Sequence, residues 1–238
     1  MPRYFKTDSR GLTFREYWNL TRSWKVIFPW IHKLLRIPMR LTGGMGIPEP
    51  TAFREQLVER SQVPAPILSK LESVLSECRP LGFGSSWLYT SKHSLIPGTG
   101  IGVELLHDSG EIAGKIVYAS VGRRESLVAG LISLLNDGRI LATSNKRPEL
   151  NSAPEIELER MVGANFDQLL KRHRQRLSAG RARSAPVKFR GFDELADFED
   201  RLSRINLDYQ TRRGVWVEMS IGEIEALRHV TPPPLPRS

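Results

Sequence analysis

The sequence predicts an α+β fold, in which an antiparallel β-meander of four to five strands packs against flanking helices laid on one face. A basic amphipathic helical arm is predicted at the N-terminus, before this body. Three observations support this prediction. Short apolar segments between residues 83 and 144 are separated by turn signals, amphipathic helical patterns stand on both sides of them, and the first 46 residues are rich in cations and aromatic rings. Hydrophobic residues make up 40% and charged residues 26% of the 238, which excludes a disordered or fibrous chain.

The first segment, residues 1–46, is predicted to be a helical arm that ends in a hinge. Thr13 and Glu16 have the spacing of a capping box, so we expect the helix to begin near Phe14. Pro29 removes one helical hydrogen bond and is expected to kink or divide the helix. Pro38 and the glycines after it then end the helix.

The arm combines indole rings with cations, a composition typical of helices that lie in the plane of a membrane surface. We expect it to contact an anionic membrane surface or a protein partner through Arg15, Trp18, Arg22, Trp24, Lys25, Phe28, Trp30, Lys33 and Arg36. The alternative is a terminal helix whose apolar side packs on the body and whose basic side faces solvent.

Two helices are predicted between the arm and the sheet. Thr51 is expected to cap a short helix that carries Phe53. A longer amphipathic helix follows from Ile67 to Cys78, and Pro80 ends it.

The strands of the meander are short and are joined by tight turns. Asp108-Ser109-Gly110 and Asn136-Asp137-Gly138 both favour hairpins, because Asn, Asp and Gly tolerate positive φ. The predicted strands are Phe83–Thr90, Ile101–His107, Glu111–Ala119, Leu127–Leu135 and Arg139–Thr143.

Helical patterns return after the sheet. Asn165 with Gln168, and Ser220 with Glu223, have the spacing of helix caps. The predicted elements are a short helix over Glu155–Met161, a helix from Asn165 to Leu177, a helix from Asp193 to Gln210, a short strand over Val215–Val217 and a helix from Ser220 to Leu227.

The predicted domain organisation has four parts: residues 1–46 as the basic aromatic helical arm and hinge, 47–180 as the α+β core domain, 181–230 as a basic linker with C-terminal helices that pack on the core, and 231–238 as a disordered proline-rich tail.

The net charge of +9 is concentrated in two segments. Residues 1–46 and 161–190 each carry +7, whereas 47–160 and 191–238 carry −2 and −3. The second segment is a candidate polyanion-binding site, because arginine-rich segments neutralise phosphates. Its candidate residues are Lys171, Arg172, Arg174, Arg176, Arg181 and Arg183. The alternative is a solvated face that pairs with the acidic stretch 191–200.

The sequence predicts no catalytic residue, no metal site and no cofactor. The five histidines are dispersed, and the single cysteine, Cys78, excludes an intramolecular disulfide and lies on an apolar helical stripe. Gly98, Gly100 and Gly102 precede a strand, whereas a phosphate-binding loop opens a helix. These glycines are therefore interpreted as a strand connection.

His173 lies on the apolar side of its predicted helix. A buried imidazole can serve as a general base, but it is more often held in a core by a hydrogen bond. A pocket between the sheet and this helix, near His173, would make the protein a small-ligand binder or an enzyme.

The leading functional prediction is a non-enzymatic intracellular accessory or interaction protein that docks through its N-terminal arm. A nucleic-acid-binding protein that uses residues 171–190 and the ligand pocket near His173 are the alternatives. The N-terminal apolar run 26–31 has six residues, too short for a signal peptide or a membrane span. We therefore expect a cytoplasmic protein, peripheral at the membrane if the arm binds there.

Overall fold

The computed structural model describes residues 3–21, 46–90, 99–121, 124–180 and 184–228. In these ranges the chain is α+β, as the sequence predicts, with one sheet of six strands and one of three. Most of the predicted arm, residues 22–45, and the proline-rich tail, residues 231–238, lie outside the described residues.

The larger sheet contains strands β3 to β8 in the order in which they follow one another along the chain. All neighbours from β3 to β7 are antiparallel, which confirms the predicted meander over five strands. The bounds are Ser85–Thr90 for β3, Thr99–Leu106 for β4, Ala113–Val121 for β5, Arg124–Leu134 for β6, Ile140–Ser144 for β7 and Ile156–Arg160 for β8.

Strand β8 shows that two predictions were wrong. The helix expected over Glu155–Met161 is a strand, and this strand pairs in parallel with β7, so the sheet is mixed. The side chains alternate with the period of a strand: Ile156 packs in the core, whereas Glu157 is exposed and bonds to Arg139. Residues 145–155 return the chain along the sheet, as a parallel connection requires.

The two predicted hairpin turns are confirmed. Gly110 joins β4 to β5 with φ of 71°, and Gly138 joins β6 to β7 with φ of 85°. Both angles lie in the left-handed region, where a residue without Cβ costs least.

Helices cover both faces of the larger sheet, which corrects the expectation that they lie on one. Helices α2 (Ala65–Cys78) and α3 (Phe166–Gly180) pack on one face, and α4 (Phe192–Arg212) packs on the other. Leu105 and Leu106 show the reason, since these consecutive residues of β4 belong to the two different cores.

The smaller sheet joins segments that are distant in the sequence. Strand β1 (Tyr4–Thr7) pairs antiparallel with both β2 (Ile47–Pro48) and β9 (Trp216–Glu218). Residues 4–7, which the sequence analysis included in the helical arm, therefore belong to the body as a strand.

Helix α1 (Phe14–Thr21) follows β1, and α5 (Ile221–Arg228) follows β9. Both begin with the predicted capping box: Glu16 N–H donates to Thr13 Oγ1 at 3.3 Å, and Glu223 N–H donates to Ser220 Oγ at 3.4 Å. The short helix expected after Thr51 is a 3₁₀ turn over Phe53–Gln56.

The described part of the predicted basic linker, residues 184–190, lies against the larger sheet. The N–H of Val187 donates to the carbonyl of Leu134 at 2.8 Å, and Phe189 is buried in the core under α4. None of the helices in the described ranges has the length and apolarity that crossing a bilayer requires.

Candidate functional site

The candidate site begins at helix α1, which is fixed to the body by a buried ion pair. The Glu16 side chain is fully buried and accepts hydrogen bonds from Arg213 Nη1 at 2.8 Å, from the Asn151 N–H at 2.7 Å and from the Thr13 N–H at 2.8 Å. Tyr17, one residue on, packs into a small core with Val215. Burial by itself would raise the pKa of Glu16, but the hydrogen bonds outweigh it and lower the pKa to about 2.

The opposite side of α1 faces solvent and carries large apolar rings. Phe14 is 48% exposed and Trp18 is 49% exposed. They stand four residues apart, so their side chains share one face, and exposed Arg15 is adjacent. Leu20, beyond the buried Tyr17, is 44% exposed. Leu20 points away from Trp18, so we call Phe14, Arg15 and Trp18 the α1 surface.

The structure places two of the nine predicted arm residues, Arg15 and Trp18, and both are on the α1 surface. The other seven lie outside the described residues: Arg22, Trp24, Lys25, Phe28, Trp30, Lys33 and Arg36.

The second predicted site, the basic segment, lies on α3, where its cations have partners within the protein. Lys171 pairs with Asp167 at 2.7 Å, Arg172 pairs with Glu159 at 2.7 Å, and Arg174 Nη2 lies 2.9 Å from His107 Nε2. Arg176 Nη1 donates to Thr143 Oγ1 at 2.9 Å, and Arg181 and Arg183 lie outside the described residues.

The acidic stretch 191–200 takes its partners mainly from elsewhere. Arg54 lies 2.7 Å from Asp197 and 3.2 Å from Asp193, whereas Arg190 lies 3.8 Å from Glu194. The expected pairing of this stretch with the basic segment occurs, among the described ion pairs, at Arg190.

His173 is enclosed and neutral. Its Nε2 lies 3.0 Å from the Ser133 hydroxyl, which donates its own proton to the Glu111 carbonyl, and its Nδ1 lies 3.0 Å from the Thr143 hydroxyl, which accepts from Arg176. Nε2 is therefore the donor and Nδ1 the acceptor.

Burial, with a smaller contribution from the charge of Arg176, lowers the pKa of His173 to about 3. The ring has no exposed surface, so a substrate would reach it only if α3 or the sheet moved. Cys78 is also fully buried, and burial raises the pKa of its thiol to about 12, so the thiol stays protonated near neutrality.

Sequence reasoning missed a buried cluster of charges under α4, which consists of Glu104, Lys115 and Glu199. The side chains of Glu104 and Glu199 are 1% and 4% exposed, and that of Lys115 is 25% exposed. The Lys115 ammonium bonds to Glu199 and lies 3.5 Å from Glu104. The rings of Tyr89 and Phe53 lie 5.7 Å and 6.0 Å from the same ammonium.

The cluster holds one carboxyl group more than its lysine can neutralise. Burial, and then the charge of Glu199, raises the pKa of Glu104 well above its usual range. Burial opposes the charge of Lys115, but the two carboxylates outweigh it and hold its pKa well above the usual value. Glu104 Oε2 and Glu199 Oε1 accept no hydrogen bond from the described residues, and the raised pKa of Glu104 favours its protonated form.

The cluster can hold a proton, but its carboxyl groups are closed off from solvent by the sheet and α4. Among the described residues no group of three His, Cys, Asp or Glu side chains is arranged to hold a metal ion. The accessible candidate for function is therefore the α1 surface.

Comparison of the chain with protein-family models, with curated proteins and with solved structures gives no match.

Proposed function

We propose that this protein is a non-enzymatic, cytoplasmic accessory protein that attaches peripherally to an anionic membrane surface through its N-terminal helix. The observation that supports the proposal is the α1 surface, where Phe14 and Trp18 are about half exposed beside Arg15, on a helix that Glu16 and Arg213 anchor to the body.

The chemistry of this surface suits a lipid headgroup region. Aromatic rings with an apolar body favour the interface, and each Lys or Arg near an anionic leaflet contributes about 1 kcal/mol. Residues 1–46 carry a net charge of +7, and the sequence after α1 continues with further tryptophans and cations. A protein partner is the other reading of the same surface, but the concentration of positive charge favours an anionic bilayer.

The anchor gives the attachment a mechanical consequence. Because Glu16 accepts hydrogen bonds from Arg213, Asn151 and Thr13, α1 is joined to the C-terminal end of α4 and to the chain between β7 and β8. Contact at the α1 surface would therefore hold the whole body at the membrane.

Vesicle flotation of the full chain tests the proposal. We expect the protein to float with vesicles of phosphatidylcholine and phosphatidylserine, to float less at high salt, and to remain unbound with phosphatidylcholine alone. Trp18→Ser should weaken binding about tenfold, because burial of half an indole contributes on the order of 1–2 kcal/mol.

Leu127→Ser provides the matched control, since Leu127 is 41% exposed on the distant strand β6. This variant should float like the wild type. The membrane proposal is wrong if the wild type does not float with phosphatidylserine vesicles, or if Trp18→Ser and Leu127→Ser behave alike.

A further inference from the structure

A cleft of about 340 Å³ lies where α2, strand β3 and the segment before α2 meet. Its lining is partly apolar and partly polar. We call the apolar residues Leu57, Val58, Leu75, Leu88 and Val103 the floor and the polar residues Arg60, Glu72, Arg79 and Ser86 the rim, and Trp87 completes the lining.

The cleft lies beside an open stretch of sheet edge. Strand β3 is the first strand of the sheet, and the Val58 N–H donates to the carbonyl of Leu88 at 3.0 Å on its outer side. Backbone groups alternate in direction along an antiparallel strand, so the N–H and C=O of Ser86 also face outward. In the described ranges no hydrogen bond to either group is present, and Ser86 is exposed.

The rim carries an uncompensated positive charge. Arg60 lies 2.7 Å from Glu72, which neutralises it. Arg79, just after the last residue of α2, is exposed and forms no ion pair with the described residues. An anionic group at this rim would meet the Arg79 guanidinium, which can bind a carboxylate through two parallel hydrogen bonds.

We propose that this cleft binds the C-terminal residue of an extended peptide that ends in an aliphatic side chain. The aliphatic group lies on the apolar floor, the terminal carboxylate binds Arg79, and the backbone of the peptide exchanges hydrogen bonds with Ser86 at the sheet edge. The proposal uses a surface separate from the α1 surface and does not depend on membrane attachment.

The dimensions of the cleft favour a peptide end over a cofactor. Sites for drug-sized molecules have volumes of about 300–1,000 Å³ and enclose most of the ligand. This cleft is at the lower end of that range and is partly open to solvent, so it suits one or two side chains of a longer chain.

Fluorescence anisotropy of the full-length protein tests the proposal with an N-terminally labelled hexapeptide that ends in Val-Leu. We expect the free carboxylate to bind and the C-terminal amide to bind about tenfold more weakly, because the amide lacks the charge that strengthens the hydrogen bonds to Arg79. A peptide that ends in Lys should lose most of its affinity, since its last side chain cannot cover the apolar floor.

Arg79→Gln should reduce the affinity for the free carboxylate about tenfold and leave the affinity for the amide unchanged. Arg147→Gln is the control, since Arg147 is also exposed but lies after β7, away from the cleft. Ser86→Pro removes the outward N–H without breaking a bond to β4 and should weaken both peptides. Equal affinity for acid and amide, or no binding of the acid, would overturn the proposal.

Discussion

Glu16 and Glu104 are 0% and 1% exposed, yet the pKa values of the two carboxyl groups are shifted in opposite directions. Glu16 accepts hydrogen bonds from a guanidinium, a hydroxyl and two backbone N–H groups, which lower its pKa to about 2. Glu104 shares one ammonium with Glu199, and its pKa is raised well above its usual range. Burial raises the pKa of both groups, and the number of hydrogen-bond donors decides whether that effect is outweighed, as at Glu16, or not, as at Glu104.

The difference follows from where each group stands. Glu16 is near the start of a helix, where free backbone N–H groups are available, and close to the end of α4, which supplies Arg213. Glu104 is in the middle of a strand, where the backbone groups already bond to neighbouring strands. A carboxyl group on a sheet face therefore depends on side chains, and one lysine serves two carboxyl groups here.

The largest effect is expected when the ammonium of the charged cluster is removed. Lys115→Met leaves Glu104 and Glu199 buried without a cation, and removing one partner of a buried ion pair costs about 3–5 kcal/mol. Urea denaturation should show this loss in the free energy of unfolding. Lys70→Met is the control, since Lys70 pairs with Glu125 at the surface with 46% and 51% exposure, and it should change the free energy of unfolding far less than Lys115→Met.

A loss below about 1 kcal/mol for Lys115→Met would contradict this prediction, because it would mean that both carboxyl groups are neutral without the lysine.

A smaller effect is expected at Glu16. Glu16→Gln keeps the shape of the side chain but removes the charge that Arg213 neutralises, so we expect a loss of about 1.5–3 kcal/mol. Because the anchor of α1 is weakened, limited proteolysis at residues 3–21 should also accelerate. Glu49→Gln is the control, since the pair between Glu49 and Arg3 is 35% and 52% exposed.

If proteolysis of the Glu16→Gln and Glu49→Gln variants proceeds at equal rates, Glu16 does not anchor α1.

The sequence predicts elements whose signals are local. The meander, its two turns and the capping boxes depend on neighbouring residues, and the structure confirms them. In the observed register Glu104 lies opposite Lys115, and the sequence signal for the cluster is a charged residue in the middle of an apolar strand. The third member, Glu199, lies on a helix 84 residues from Lys115, and periodicity does not indicate which face of the sheet a helix covers.

Strands β1 and β8 were missed for a related reason. The four residues of β1 form a strand because segments 47–48 and 216–218 supply hydrogen-bond partners, which no local pattern reveals. Around β8 the sequence shows the alternation of Glu155, Glu157 and Glu159, but the short length of this segment leads to the prediction of a helix. At α1 the capping box is a local signal, and it correctly predicts where the helix begins. The burial of Glu16 depends on tertiary contacts, so the sequence alone does not predict which side of α1 faces solvent.

The smallest effect per pH unit, and the sharpest test of the comparison, is a difference in pH dependence. The folded state keeps a proton on Glu104 that the unfolded chain loses above the ordinary value of 4.5. The free energy of unfolding of the wild type should therefore fall, relative to Glu104→Gln, as the pH rises from about 4.5 toward the raised pKa, by at most about 1.4 kcal/mol per pH unit. Glu16 has the opposite sign, since its low pKa contributes stability that is lost as the pH falls from 4.5 toward about 2.

Urea denaturation of the wild type, Glu104→Gln and the exposed control Glu77→Gln between pH 4.5 and 8 measures the slope. A constant difference between wild type and Glu104→Gln across this range would show that Glu104 is ionised in the folded protein, because only a retained proton makes the two curves converge or diverge with pH.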